Sequence, residues 1–461
     1  MLCPENILII INKEYDELMI RKYQGKIQDG NLEIGDQQRG DPEVTNLRFI
    51  ENFNIQTLKI NVSSGMCEKL RNRTIKELTL QKSEQARSDA MNFNVDDLEL
   101  ENLEVLQMQN NQLGNNYLYN LVKFKKFHTL NVSSNNVDLT HIRFVTSLTK
   151  LSMSGCGLQN INQIILLVNL EDLDLSLNKG IDLRPLCKIN SLTKLHMNGC
   201  RLKNIDCIRL LSNLQVLDIA LNILHNINSI SLLVNLKELD VKQNPNIDIT
   251  PLKDLSGLVK LDLQYCKLKQ LNALKPLINL KILDLSYNDN INITVLQYLK
   301  NLTNLNLNHC NLVSVYVLRP LVKLESLNIA SNDIVYLNAN IYEMKQLKSL
   351  RVDDNRICDF SSLEQHQNFN NFDNVGDKCF VISDQKQPLK QQLCLANNIR
   401  SIEGPNIYVI KIQNKLKKLR TTLDNIKKQI NEATYYTYLN QIQFTGNIAH
   451  LFQQLNYLGF E

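Results

Sequence analysis

Leu170-Glu-Asp-Leu173-Asp-Leu175-Ser-Leu-Asn178 returns further along the chain as Leu280-Lys-Ile-Leu283-Asp-Leu285-Ser-Tyr-Asn288, with every apolar position kept. In its Leu-x-Leu core the two leucines point to one side of an extended backbone and the residue between them to the other. That is the period-two signature of a strand buried on one face. The middle leucine falls at 106, 130, 151, 173, 195, 217, 239, 261, 283, 305, 327 and 350, and every interval from Leu151 to Leu327 is 22 residues. Weaker copies stand at Leu58-Lys-Ile60 and Leu78-Thr-Leu80. One such strand cannot cover its own apolar side. The copies must therefore stack, about 4.8 Å apart, into a parallel sheet whose leucine rows merge into one core.

The residue that closes each motif turns the chain inside that core, where its side chain has to satisfy backbone groups that water cannot reach. Asn, which both donates and accepts, holds the position at 111, 135, 178, 222, 244, 288, 332 and 355. Cys replaces it at Cys156, Cys200, Cys266 and Cys310, spaced by whole multiples of the repeat, so these thiols read as ladder positions instead of a reactive or metal-binding set. After the ladder residue the next apolar residue comes three positions on in one form (Asn178 to Ile181, Asn244 to Ile247, Asn288 to Ile291) and two positions on in the other (Cys200 to Leu202, Cys310 to Leu312). Pro185 and Pro251 then suit the first turn of short helical or 3₁₀ segments.

These residues resemble the leucine-rich-repeat family over about residues 56–357. The 22-residue period is most similar to the short-repeat class that includes the leucine-rich regulatory subunit of phosphatase one and the bacterial internalins. The resemblance implies an α/β repeat fold. The resemblance further implies a right-handed solenoid with a parallel concave sheet and short helical or 3₁₀ convex segments, of a kind that binds proteins on the concave side.

The rest of the chain sets limits. With 461 residues, 43% hydrophobic and 21% charged, it is not compositionally disordered. Its longest wholly apolar runs, Ile7 to Ile11 and Ile164 to Val168, are far short of the ~20 residues that cross a bilayer. The N-terminal run has no basic residue before it, which predicts no secretory signal. A net charge of +4 disfavours nucleic acid as the partner. Eleven cysteines without a Cys-x-x-Cys pair fit a reducing compartment, and a cytoplasmic location is expected. Five Asn-x-Ser/Thr triplets, at Asn61, Asn72, Asn131, Asn292 and Asn301, read as chance in an Asn-rich chain, since a glycan on Asn131 would collide with neighbouring strands.

Residues 1–54 are expected to form an N-terminal helical cap around the spaced apolar residues of 12–28, residues 55–357 the solenoid, 358–404 a C-terminal cap and linker, and 405–461 a basic amphipathic segment. In the last, Val409, Ile412, Leu416, Leu419, Leu423, Ile426, Ile430 and Ala433 form a heptad seam, and the seven basic residues from Lys411 to Lys428 outnumber Asp424 and Glu432. Like charges across the seam disfavour self-pairing. Docking within the chain, pairing with an acidic helix and binding an anionic surface all remain open.

The residue between the two strand leucines faces outward, and through the central coils it reads Asp174, His196, Asp218, Asp240, Asp262 and Asp284. This acidic row either favours a partner with a basic surface or reflects a Leu-Asp-Leu form that is frequent in this repeat class, and Lys194, Lys242 and Lys260 dilute its field. A second column brings Tyr265, Tyr287 and His309 from consecutive coils, as a binding hot spot or as a structural stack. No Gly-x-x-x-x-Gly-Lys, Gly-x-Ser-x-Gly, His-Glu-x-x-His or kinase motif is present, and the scattered histidines suggest neither catalysis nor a cofactor or metal site. The expectation is a non-enzymatic protein-binding scaffold, for which the family resemblance suggests a regulatory role like that of the phosphatase-one subunit. The alternatives are an internalin-like secreted adhesin and a component of a cytoskeletal assembly joined through the C-terminal helix.

Overall fold

A computed structural model describes Asp29 and residues 31–34, 50–51, 53–62, 70–82 and 95–111, then 113–356 with short gaps. The expected N-terminal helix within 12–28, the C-terminal cap and linker of 358–404 and the basic segment of 405–461 lie outside the described residues.

A 15-stranded parallel sheet dominates the described chain. It opens with β1 (Asn31–Ile34), β2 (Thr57–Val62) and β4 (Glu77–Lys82) and continues through twelve strands, β6 to β17, each of three residues centred on one of the twelve repeat leucines from 106 to 350. β3 (Leu70–Arg71) and β5 (Leu98–Glu99) form a separate two-stranded pair. Neighbouring strands stay in one register, so that Leu195, Leu217 and Leu239 are partners across three of them. Asn131 ends a strand, as its position in the repeat requires.

The sheet reaches further back than the expected helical cap of 1–54 allows. Asn31–Ile34 is a strand that pairs with Thr57–Ile60. Its alternation, Leu32-Glu33-Ile34, carries the strand signal, but 26 residues separate Leu32 from Leu58, and that interval hides it from a search by period.

On the interior side Leu170, Leu173 and Leu175 of one coil have no accessible surface, and the equivalent residues of the other regular coils match them. Burying each leucine contributes roughly 2 kcal/mol. The opposite side of most coils is closed by 3₁₀ turns, such as Arg184–Lys188 and Thr250–Asp254, with Pro185 and Pro251 in their first turn, while a four-residue α-helix, Asn340–Glu343, closes the coil before β17. An α-helix about 10 Å across cannot repeat at the ~4.8 Å spacing of strands without splaying the coils, whereas the tighter 3₁₀ turn fits better.

The ladder residues hold the coils together and explain the two turn forms. Asn178 donates from Nδ2 to the carbonyls of Met153 in the preceding coil (2.9 Å) and of Leu175 in its own (2.9 Å), and its Oδ1 accepts the Leu158 N–H (3.0 Å). Asn222, Asn244, Asn288 and Asn332 repeat this set. A thiol donates in the same direction, Cys200 Sγ to the Leu175 carbonyl at 3.2 Å and Cys266 Sγ to the Val241 carbonyl at 3.4 Å, but it offers no comparable acceptor for the preceding coil. The coils that precede Cys200, Cys266 and Cys310 accordingly take the longer turn, whereas the coil that precedes Cys156 has Val137 only two positions after Asn135. In the longer turns the N–H of Gly180, Asn246 or Asn290 bonds to the backbone carbonyl of the cysteine in the next coil (2.9–3.1 Å). Those three residues are left-handed (φ 76°, 63° and 58°), a conformation Gly and Asn adopt most readily. Burial pushes the ladder thiols up, Cys266 to about 12 and both Cys200 and Cys310 to about 11, so they are inert as nucleophiles.

Four of the Asn-x-Ser/Thr asparagines make side-chain hydrogen bonds within the fold, Asn292 by accepting the Thr294 N–H (3.0 Å). Asn72 is buried with its amide on the Ile50 and Phe53 carbonyls, Asn131 caps the Ser133 N–H, and Asn301 donates to the Ile278 carbonyl.

Candidate functional site

Six of the nine residues singled out by the sequence lie on the outer face of the sheet, and Tyr265, Tyr287 and His309 lie in the turns that follow three of its strands. Asp174, His196, Asp218, Asp240, Asp262 and Asp284 lie on six successive strands in direct register and are half-buried. The residue type at this column has a local cause. One carboxylate oxygen accepts the N–H two residues on: Ser176 for Asp174, Ala220 for Asp218, Lys242 for Asp240, Gln264 for Asp262 and Ser286 for Asp284, all at 2.8–3.0 Å. This side-chain bond stops the strand and starts the turn. Asn makes the same bond at Asn131, Asn306 and Asn328. Where Asp or Asn stands, the turn uses the side-chain oxygen and not the charge, and His196 and Arg351 fill the same column without such an oxygen.

The second oxygens have different surroundings. Asp174 accepts from the Ser152 hydroxyl (3.0 Å), Asp218 from the Asn198 amide (3.0 Å), Asp240 from Lys242 Nζ (2.7 Å) and Asp284 from the Asn306 amide (2.8 Å). Asp262 has Lys242 Nζ at 3.8 Å and, among the described residues, no hydrogen bond to that oxygen. Burial, together with Asp240 and Asp284 on either side, pushes its carboxyl up to about 6 against the pull of Gln264 N–H and Lys242. Asp218 goes the other way. Burial would raise it, but bonds from His196, the Ala220 N–H and Asn198 outweigh that and hold it below the usual carboxylate range. His196, 3.8 Å from Asp218, is raised chiefly by that carboxylate. Lys260 is drawn to Glu238 (3.5 Å), so only Lys242 of the three expected diluting lysines reaches into the row.

Beside the acidic row runs the residue that immediately precedes each ladder position, and there the backbone is left-handed in coil after coil: Leu177 (φ 62°), Gly199 (66°), Leu221 (56°), Gln243 (55°), Tyr265 (57°), Tyr287 (59°) and His309 (51°). Their N–H groups bond to carbonyls of the next coil, as Tyr265 does to Ser286 (3.1 Å) and Tyr287 to Asn308 (2.8 Å). Tyr265 stacks on Tyr287 with centroids 4.2 Å apart and planes 9° from parallel, and Tyr287 stacks on His309 at 4.5 Å and 17°. Tyr265 stays 46% exposed, and Leu177 and Leu221, from the same column, are 53% and 45% exposed. Leu177 lies over Gly199, where a β-carbon would come within 2.7 Å of it.

Two shallow hollows flank the central acidic strands. One, about 450 Å³, is lined by residues that include Lys150, Asp172 and His196; the other, about 290 Å³, by residues that include Asn304, Asn306, Asn328 and Arg351. Ile282, 41% exposed on this face, is an apolar residue at an outward strand position, in a column that otherwise holds mostly charged or polar residues. Among the described residues no three His, Cys, Asp or Glu side chains are grouped to hold a metal, and no helix is long and apolar enough to cross a membrane.

The register, the ladder and the 3₁₀ closure define a leucine-rich-repeat fold, and comparison with solved structures agrees. A leucine-rich-repeat protein of Leptospira interrogans matches with a TM-score of 0.61 at 24% identity, over 74% of this chain and 88% of that one. The mouse RP105/MD-1 complex matches at 0.50 and 19%, over 67% and 61%. An internalin of Listeria monocytogenes matches at 0.46 and 19%, over 60% and 88%. No family model and no curated protein sequence matches the chain.

Proposed function

We propose that the chain is a non-enzymatic protein-interaction scaffold that seats a partner with a basic surface on the outer face of its sheet. The observation that carries this reading is the charge in the acidic row, which exceeds what the fold needs. Asn makes the same turn bond at 306 and 328, yet four adjacent strands present Asp218, Asp240, Asp262 and Asp284 with one lysine among them. Uncompensated like charge on a half-buried face opposes folding, and a basic partner would relieve it. That leucine-rich-repeat structures include a complex, RP105 with MD-1, is in keeping with such a role. We also propose a reducing, cytoplasmic setting. It is supported by the free ladder thiols and by the engagement of Asn72, Asn131 and Asn301 in the fold. A second contact through 405–461 rests on the heptad seam and basic charge of that segment.

Affinity capture with mass spectrometry tests the reading. The variant carrying Asp218→Asn, Asp240→Asn, Asp262→Asn and Asp284→Asn keeps the turn bonds and removes the charge. It should lose basic proteins that wild type retains. Leu232→Lys, on an exposed 3₁₀ residue away from the sheet face, should retain them. The reverse pattern would contradict the proposal.

A further inference from the structure

Gly155 and Gly199 occupy the left-handed column without cost, so the fold is content with a glycine at this position. A bulky side chain with positive φ is disfavoured by about 1 kcal/mol or more per residue. Tyr265, Tyr287 and His309 stand there nevertheless, in three consecutive coils, with their rings stacked. Stacking returns part of that free energy, and it also leaves a flat surface. One face of Tyr265 is covered by Tyr287, and the other looks toward the preceding coil, where the residue in the same column is Gln243, an exposed side chain. On the same coil as Tyr265, the outer oxygen of Asp262 lacks a hydrogen bond among the described residues and has its nearest cation, Lys242, at 3.8 Å.

We propose that this aromatic stack is an arginine-selective contact: a guanidinium group from an extended peptide segment of the partner lies flat on the open face of Tyr265 and pairs with the Asp262 carboxylate. The inference rests on the scaffold reading above and names the chemistry of its partner. Charge complementarity selects a cation, since Asp240, Asp262 and Asp284 adjoin the stack on consecutive strands. The ring selects among cations. A planar, weakly hydrated guanidinium stacks on an aromatic face and still presents a fork to a carboxylate, whereas a lysine ammonium keeps its hydration and stacks poorly. Leu221, two coils before Tyr265 in the same column, gives the aliphatic stem and adjoining backbone of such a peptide an apolar surface.

Fluorescence anisotropy with a labelled eight-residue Arg-Gly repeat peptide and its Lys-Gly counterpart tests the proposal on the full chain. Wild type should bind the arginine peptide at least about fivefold more tightly than the lysine peptide. Tyr265→Gly, which suits the local backbone, should leave the melting temperature within about 3 °C and abolish that preference, and Asp262→Asn should weaken the arginine peptide about tenfold. Equal affinity for the two peptides, or a preference that survives Tyr265→Gly, overturns the arginine contact. If both peptides bind equally and both are lost on the four-fold Asp→Asn variant, the acidic-face reading stands while this inference fails. If the arginine peptide binds wild type and the four-fold variant alike, both fail.

Discussion

On β11 (Val216–Asp218) Leu217 is sealed from solvent while Asp218, its neighbour in sequence, is half-exposed. Across the regular coils the inner position is leucine every time, whereas the outer position takes Asp, His, Asn, Ser, Gln or Arg. Packing at native density dictates the inner column, because each leucine fills a space left by its neighbours above and below. At its Asp and Asn positions the outer column serves the fold by giving an oxygen to the N–H two residues on, and Asn does so as well as Asp. Whatever the outer face holds beyond that duty is free to serve recognition, and the carboxylate charges and the stacked rings are what it holds.

The contrast can be broken at several strengths. Leu217→Asp should cost on the order of 4 kcal/mol or more in urea denaturation, since it places a charge without a partner among the leucines; a loss under ~1 kcal/mol would mean that the inner face is misassigned. Asn222→Ala should cost about 3 kcal/mol, because the Met197 and Ile219 carbonyls and the Leu202 N–H lose their partner inside the core, while Asn306→Ala on the outer face should cost under ~1 kcal/mol. Equal costs would erase the distinction between inner and outer polar groups.

Cys266→Asn, which installs the commoner ladder residue, should still destabilise by about 1–2 kcal/mol. The preceding coil already sends the Asn246 N–H to the residue 266 backbone carbonyl, so the new side-chain oxygen would be buried without a donor. A neutral or stabilising result would refute the link between ladder residue and turn length. Asp262→Asn should stabilise by about 1 kcal/mol at pH 7. The carboxyl, at about 6 in the folded chain, lies above its unfolded value, so the folded state binds the proton more tightly and wild type loses stability as pH rises from about 4 through 6. The gain from Asp262→Asn should therefore be full above about pH 7 and vanish near pH 4; a gain independent of pH would show that the cause is not ionisation.

Much of this was legible before any coordinates. The twelve leucines located twelve strands because a 22-residue period leaves the register no freedom, and the outer columns followed from alternation. Prolines at 185 and 251 marked the 3₁₀ turns. Leu32-Glu33-Ile34 escaped because its spacing is irregular, although the strand itself obeys the same alternation. Both turn forms were visible in sequence, but their cause was not, since it lies in the side chain of the next coil, about 20 residues away. Likewise the acidic row was readable as charge, while the bonds that satisfy Asp174, Asp218, Asp240 and Asp284 and leave Asp262 less satisfied depend on cross-strand geometry that Ser152, Asn198, Lys242 and Asn306 supply.

The central claim is that a partner lies on the outer sheet face beside the stacked rings. Photocrosslinking reads this most directly, with p-benzoylphenylalanine replacing Gln243 in the left-handed column or Val234, which is 60% exposed in the turn that leads into β12 (Glu238–Asp240). The account predicts a partner adduct from position 243 that disappears in the four-fold Asp→Asn background, and none from 234. An adduct from 234 with none from 243 would contradict it.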